Sequence, residues 1–161
     1  MEFMPKLLTH DESDRLMDRF ERHFNVQGFG LFAAELRENE RLVGFVGLAI
    51  PDFTAAFTPC VEIGWRLARE YWGQGLATEG AREVLRFGFE TAGLTDVVSF
   101  TVPRNVRSSR VMERLGMVRD AEADFEHPKL PEGHALRNHV LYRLDRAGWE
   151  RAGREAGQIA I

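Results

Sequence analysis

Two glycines between a strand pattern and a helix pattern carry the first chemical signal. The segment Trp72-Gly73-Gln74-Gly75-Leu76-Ala77-Thr78 follows an apolar run and opens a helical one. Backbone N–H groups in a first helical turn have no intrahelical acceptor and point outward. Glycines let a bulky anion approach them, and the helix dipole adds attraction. The spacing fits a diphosphate cradle, with a tight turn that needs glycine as the alternative. A P-loop requires Lys and then Ser or Thr after the last glycine, where this chain has Leu76-Ala77. A dinucleotide loop requires a third glycine, where Thr78 stands, and an acid at the end of the next strand. Asp96 precedes its strand instead.

Other residues have types suited to proton transfer. Glu62 lies between apolar Val61 and Ile63, so strand alternation turns it to the opposite face. It is a candidate general base, or a solvated or ion-paired strand carboxylate. His127, His134 and His139 are rivals, because histidine titrates near pH 6.5. Asn105 is placed to cap a helix, with Ser108 in its first turn. Arg104, Arg107, Arg110 and Arg114 recur along that helix as a solvated face or an anion-facing one. The segment from Asp124 to His134 is polar, ring-rich and stiffened by Pro128 and Pro131, as functional loops are. With Phe53, Phe57 and Trp65 it offers walls for a substrate. The histidine spacing supplies no close ligand pair, so no zinc site is expected.

These residues need elements to hold them. Helical spacing covers 11–25, through Leu16, Met17, Phe20 and Phe24. Strands at 29–36 and 42–50 flank a polar turn and form a hairpin. A loop at 51–59 leads to a strand at 61–67. A helix follows at 75–91, with Ala77, Ala81, Val84, Leu85, Gly88 and Phe89 on one face and Gly93 closing it. A strand at 97–102 stops at Pro103, and Asn105 opens a helix ending near Leu115 and Gly116. A strand begins within 117–125, a loop fills 126–138, and a last strand covers 139–144. The tail beyond reads as weakly helical and broken by glycine. The order implies an α/β or α+β sheet with helices packed on it.

The chain has 161 residues, 21 Lys+Arg against 25 Asp+Glu, a net charge of −4 and one cysteine, Cys60. That length suits one domain burying roughly 70% of its unfolded surface. One cysteine excludes a disulfide scaffold and a four-cysteine zinc site. The slightly acidic balance argues against a general nucleic-acid or membrane binder. The segment Met1-Glu2-Phe3-Met4-Pro5 has no leader pattern, so a cytoplasmic location is expected.

Gly73-Gln74-Gly75-Leu76-Ala77 after a strand, then Asn105-Val106-Arg107-Ser108 and Val111-Met112-Glu113-Arg114-Leu115-Gly116-Met117, resemble the GNAT acetyltransferases. The likeness is to their RimJ/RimL-like, ribosomal-protein N-acetyltransferase-like branch. It covers residues 1–145, leaving a tail at 146–161. It implies a central mixed, mostly antiparallel sheet with flanking helices, splayed between strands 61–67 and 97–102. It implies acetyl-CoA as co-substrate, no metal, and direct transfer to a primary amine, either a protein N-terminus or a small molecule. Amides of Gly73, Gln74, Gly75, Leu76, Ala77 and Thr78 would hold the diphosphate. Trp72 stands where the family usually has Gln or Arg. Ile63, Trp65 and Leu67 would pair with the pantetheine arm, and a bulge at 63–65 would supply the oxyanion donor.

The same resemblance adds a pantetheine contact for Asn105 and a phosphate contact for Arg107 or Arg110. Met112 stands where many members place a thiolate-protonating tyrosine, so Ser108 is the expected acid. Phe53, Phe57, His127 and His134 are expected around the acceptor. A single weak base fits an α-amine, with a pKa of about 8, better than a lysine near 10.4. Alternatives are a non-catalytic acyl-CoA-binding module and an unrelated protein with a structural glycine loop. Family members also carry a strand and helix ahead of the part matching residues 1–5. Either the start lies upstream or the first strand is absent, leaving 29–36 an edge for a homodimer or the tail to cover.

Overall fold

A computed structural model describes residues 8–158. Helix α1 (His10–Gln27) starts at a capping box in which Thr9 accepts from the Glu12 amide and the Glu12 carboxylate accepts from the Thr9 amide. The hairpin follows as β1 (Leu31–Leu36) and β2 (Arg41–Ala49). Then come β3 (Glu62–Leu67), α2 (Leu76–Arg86), β4 (Asp96–Thr101) and α3 (Val106–Arg114). The chain ends in β5 (Val118–Glu126), β6 (Asn138–Asp145) and α4 (Arg146–Gln158). The six strands form one sheet in the order β1-β2-β3-β4-β6-β5.

Only β3 and β4 pair in parallel, and they meet at one register point, Glu62 opposite Val98. The Val98 amide donates to the Val61 carbonyl at 2.9 Å. Beyond it the strands part, which is the expected splay. The expected bulge at 63–65 is absent. β3 runs in unbroken register with β2 from Glu62 to Leu67. An antiparallel neighbour on one side holds β3 straight, so the opening comes from β4 leaving.

Period-two alternation divides the sheet's surroundings. One face buries Leu48, Ile63 and Val97 against Leu85 and Phe89 of the α2 segment and Met112 of α3. Phe45 faces the other way and meets Phe20 of α1 edge to face. Register places Glu62, Val98, Phe100, Leu141 and His139 on that second face too.

The tail differs from its sequence reading. Arg146–Gln158 is one helix that contains Gly148, Gly153 and Gly157 without interruption. Trp149 stacks on Phe89 at 5.4 Å, and Arg146 donates to the carbonyls of Phe89 and Leu94. Burial of the indole supplies what weak local propensity lacks. This places α4 beside β6, across the sheet from β1. The described part of the tail, 146–158, therefore does not cover the outer edge of β1, which has no strand partner among the described residues; residues 159–161 lie outside the described residues.

Candidate active site

The splay opens a cleft of about 940 Å³ that joins α2's N-terminus to Glu62. A smaller apolar groove of about 460 Å³ runs between β1 and α2, but none of the proton-transfer candidates reaches it.

The cradle is built locally. Gly73 and Gly75 hold φ of +77° and +82°, values that L side chains reach only at a cost. Gly75 is the N-cap of α2, no side chain caps that end, and the first intrahelical bond runs from the Glu79 amide to the Gly75 carbonyl. The amides of Leu76, Ala77 and Thr78 therefore have no helical acceptor. A Cβ on Gly73 or Gly75 would meet no protein atom within 4 Å. The Thr78 hydroxyl is buried without a hydrogen-bond partner among the described residues. Open donors, open space and an orphaned hydroxyl together fit a bound diphosphate.

Trp72 has a different task from the donor it replaces. Its indole N–H donates to the Leu67 carbonyl at 2.8 Å, tying the loop to the end of β3. The Arg107 guanidinium lies 5.1 Å from the Trp72 ring, a cation–π contact that joins α3 to the loop. Arg66, Arg69, Arg107, Arg110 and Arg114 all line the cleft, whereas Arg104 does not. The Gln74 amide group turns back onto the Glu70 carbonyl, and the Ile63 side chain is buried in the core. Neither side chain reaches the cleft, so only their backbones are available to a ligand.

β3 offers backbone to the slot. Val61 bonds toward β4, and Ile63, Trp65 and Leu67 share its direction by alternation. Trp72 occupies the Leu67 carbonyl, which leaves Trp65 as the fully open backbone in the splay.

Asn105 caps α3 by accepting from the Ser108 amide at 3.3 Å. Its amide group donates to the Thr101 hydroxyl at 3.0 Å and to the Ser108 hydroxyl at 2.9 Å. The Ser108 oxygen is an acceptor there, which leaves its own proton for a group in the cleft. Met112 is fully buried in the core and has no proton to give. Ser108→Ala is expected to slow thiol release about tenfold, read by stopped-flow with a thiol reagent. An unaltered rate would return Ser108 to helix capping.

Glu62 sits where the strands part. Part of its surface opens to the cleft, but the sheet around it removes enough water to raise its pKa from 4.5 to about 8. The folded chain thus holds this proton more tightly than the unfolded chain. Stability from this group is greatest below pH 4.5 and is lost as pH rises from 4.5 to about 8. Glu62→Gln is expected to match the parent's melting temperature at pH 4.5 and to exceed it by several degrees (about 5 °C) at pH 8.5. Thermal unfolding without ligand checks this, and a pH-independent gap would contradict it.

The acceptor end differs from the sequence reading. Phe100, His127 and His139 line the cleft beside Glu62. Phe53 and Phe57 stand behind them, packed on Phe100 at 5.8 and 6.0 Å. His134 is not a cleft residue. Its Nδ1 accepts from the Leu136 amide at 3.1 Å, so it braces the β5–β6 turn. His139 Nδ1 donates to the Arg137 carbonyl at 3.0 Å, which leaves Nε2 as an acceptor. His127 Nδ1 accepts from the Lys129 amide, so the neutral ring carries its proton on Nε2. Burial lowers both histidine pKa values, and the His139 and Lys129 charges add to the shift at His127. Phe100 escaped the sequence reading because alternation on a short apolar strand does not say which neighbour it meets. No group of three or more metal-ligating side chains is gathered among the described residues.

A family profile for the acetyltransferase (GNAT) domain matches residues 1–118. The chain belongs to the GNAT acetyltransferase family, whose domains use acetyl-CoA. It is 36% identical over 130 residues to the FsC-acetyl coenzyme A-N(2)-transacetylase of Aspergillus fumigatus, covering 79% of this chain but 54% of that protein. It is 24% identical over 135 residues to the ribosomal protein uS5-alanine N-acetyltransferase of Escherichia coli, covering 83% and 65%. An acetyltransferase structure from Agrobacterium tumefaciens superposes with a TM-score of 0.67 at 25% identity, covering 89% of this chain and 75% of that one. The chain thus spans about half the length of the fungal relative and about two thirds of the bacterial one.

Proposed function

We propose that the protein is an acetyl-CoA-dependent N-acetyltransferase that passes an acetyl group directly to a primary amine in a ternary complex. One observation carries this reading: a single cleft joins an uncapped helix N-terminus to a carboxylate with a pKa of about 8.

The coenzyme supplies the activated acetyl group. The amides at 73–78 and the Thr78 hydroxyl face its diphosphate, with Arg107 and Arg110 alongside. Backbone of Trp65 pairs with the pantetheine arm, and Asn105 adds a contact. The amine enters from the α1 face and meets the thioester at the splay. Its nitrogen bonds to the acetyl carbon, the carbon–sulfur bond breaks, Glu62 takes the nitrogen's proton, and Ser108 gives one to the departing thiolate. A base with a pKa of about 8 suits an amine of similar pKa, which favours an α-amine over lysine. The name of one relative, an alanine N-acetyltransferase, supports the same preference. The half-buried free thiol of Cys60 supports a cytoplasmic setting, and the open β1 edge would admit a second copy as a homodimer. No described helix is long and apolar enough to cross a membrane.

Acetyl-CoA is expected to raise the melting temperature by several degrees, about 2–3 kcal/mol at a hundredfold excess over its dissociation constant. Thiol release should then require an amine. Stabilisation without release from any amine would leave an acyl-CoA-binding module. No stabilisation would remove both readings.

A further inference from the structure

The wall beside Glu62 specifies more than an amine. Phe100, His127 and His139 line the cleft from three different elements: β4, the β5–β6 loop and β6. Behind them Phe53, Phe57 and Phe125 form a continuous cluster, with Phe53 4.7 Å from His127, Phe57 4.7 Å from Phe125 and Phe100 5.3 Å from Phe125. The main contacts are edge to face or tilted, the favoured aromatic arrangement. The rings fill one another's gaps, so they present a packed wall rather than a hollow cage for a cation. His127 and His139 lie 5.2 Å apart and complete the wall.

Charge points the same way. Among the described residues, Glu62 is the only carboxylate lining the cleft, while five arginines line it. Asp52, beside this cluster, is engaged with Lys129, and Glu126 with Arg137. An acceptor with further cationic groups would find no second acid among the described lining residues to pair with.

Resting on the acetyltransferase reading above, we propose that the acceptor carries one amine on an aromatic body, and that Phe100, His127 and His139 dock that ring while Glu62 faces the nitrogen. The ring lies on the wall, and the short amine arm spans to the splay. Polyamines and small aliphatic N-termini are the disfavoured acceptors.

The test compares phenylalaninamide, alaninamide, spermidine and an alanyl peptide at saturating acetyl-CoA, by thiol release, so that the aromatic and alkyl members of the first pair carry the same kind of α-amine. Phenylalaninamide is expected to exceed alaninamide in kcat/KM by about tenfold or more, and spermidine by about a hundredfold. In Phe100→Ala, confirmed as folded by coenzyme binding, the aromatic-to-alkyl ratio should fall toward one. Phe57→Ala, one rank behind, should lower it less. Equal or better turnover of spermidine or the alanyl peptide would overturn the proposal, as would an unchanged ratio in Phe100→Ala. Saturation-transfer NMR of phenylalaninamide on the protein–CoA complex separates the two readings. Ring contact without turnover would uphold the docking wall and remove the enzyme, and absence of contact in a protein that acetylates other amines would remove the wall alone.

Discussion

Gly75→Val is expected to abolish the stabilisation predicted for acetyl-CoA on the parent protein and to weaken coenzyme binding by about a hundredfold or more. The residue holds φ at +82°, and a Cβ there would meet no protein atom. The fold therefore loses only the left-handed strain, about 1–2 kcal/mol. What the valine fills is the approach to the Leu76, Ala77 and Thr78 amides. Gly93→Val is the matched control. Gly93 has φ +70°, open space around its Cβ and no place in the cleft. It should melt at a similarly lowered temperature and still bind the coenzyme. Calorimetric titration of both variants gives the answer, and full affinity in a folded Gly75→Val protein would remove the cradle.

Glu62→Gln is expected to lower kcat by about two to three orders of magnitude while coenzyme affinity stays within a factor of about two. The side chain stands where β3 and β4 part, so the substitution keeps the shape and removes the base. As the proposed base, Glu62 is expected to make kcat of the parent, read at saturating amine so that free-amine ionisation drops out, rise with pH toward a limb near 8. That limb should vanish in the variant. The parent pH profile in Glu62→Gln would dismiss Glu62, and a limb below 6.5 would point to His139, whose Nε2 is free to accept.

Both expectations rest on features with local causes. Gly75 at a strand-to-helix junction announces a left-handed N-cap, because few other residues sit there cheaply. Asn105 announces its own cap, and the Ser108 amide bonds to it as the spacing requires. Val61-Glu62-Ile63 announces a carboxylate opposite the core, because side chains alternate along any strand. Each statement concerns residues within a turn or two of one another.

The remainder depends on partners distant in sequence. Phe100 and His139 join Glu62 only because β4 parts from β3 and pairs with β6 on its other side. His134 falls away from the cleft because its nitrogen finds a backbone amide two residues on. Trp72 becomes a brace because the end of β3 lies within reach of its indole. α4 forms despite three glycines because Phe89 offers its Trp149 a buried ring.

The sequence by itself determined the cradle, the caps and the face that bears the carboxylate, because backbone sterics and strand periodicity act over a few residues. Tertiary structure alone decided which rings stand beside that carboxylate, which backbone lies open in the splay and how far the carboxyl pKa rises. Those properties depend on excluded water and on strands brought together across the sheet, and neither is encoded in any short stretch of chain.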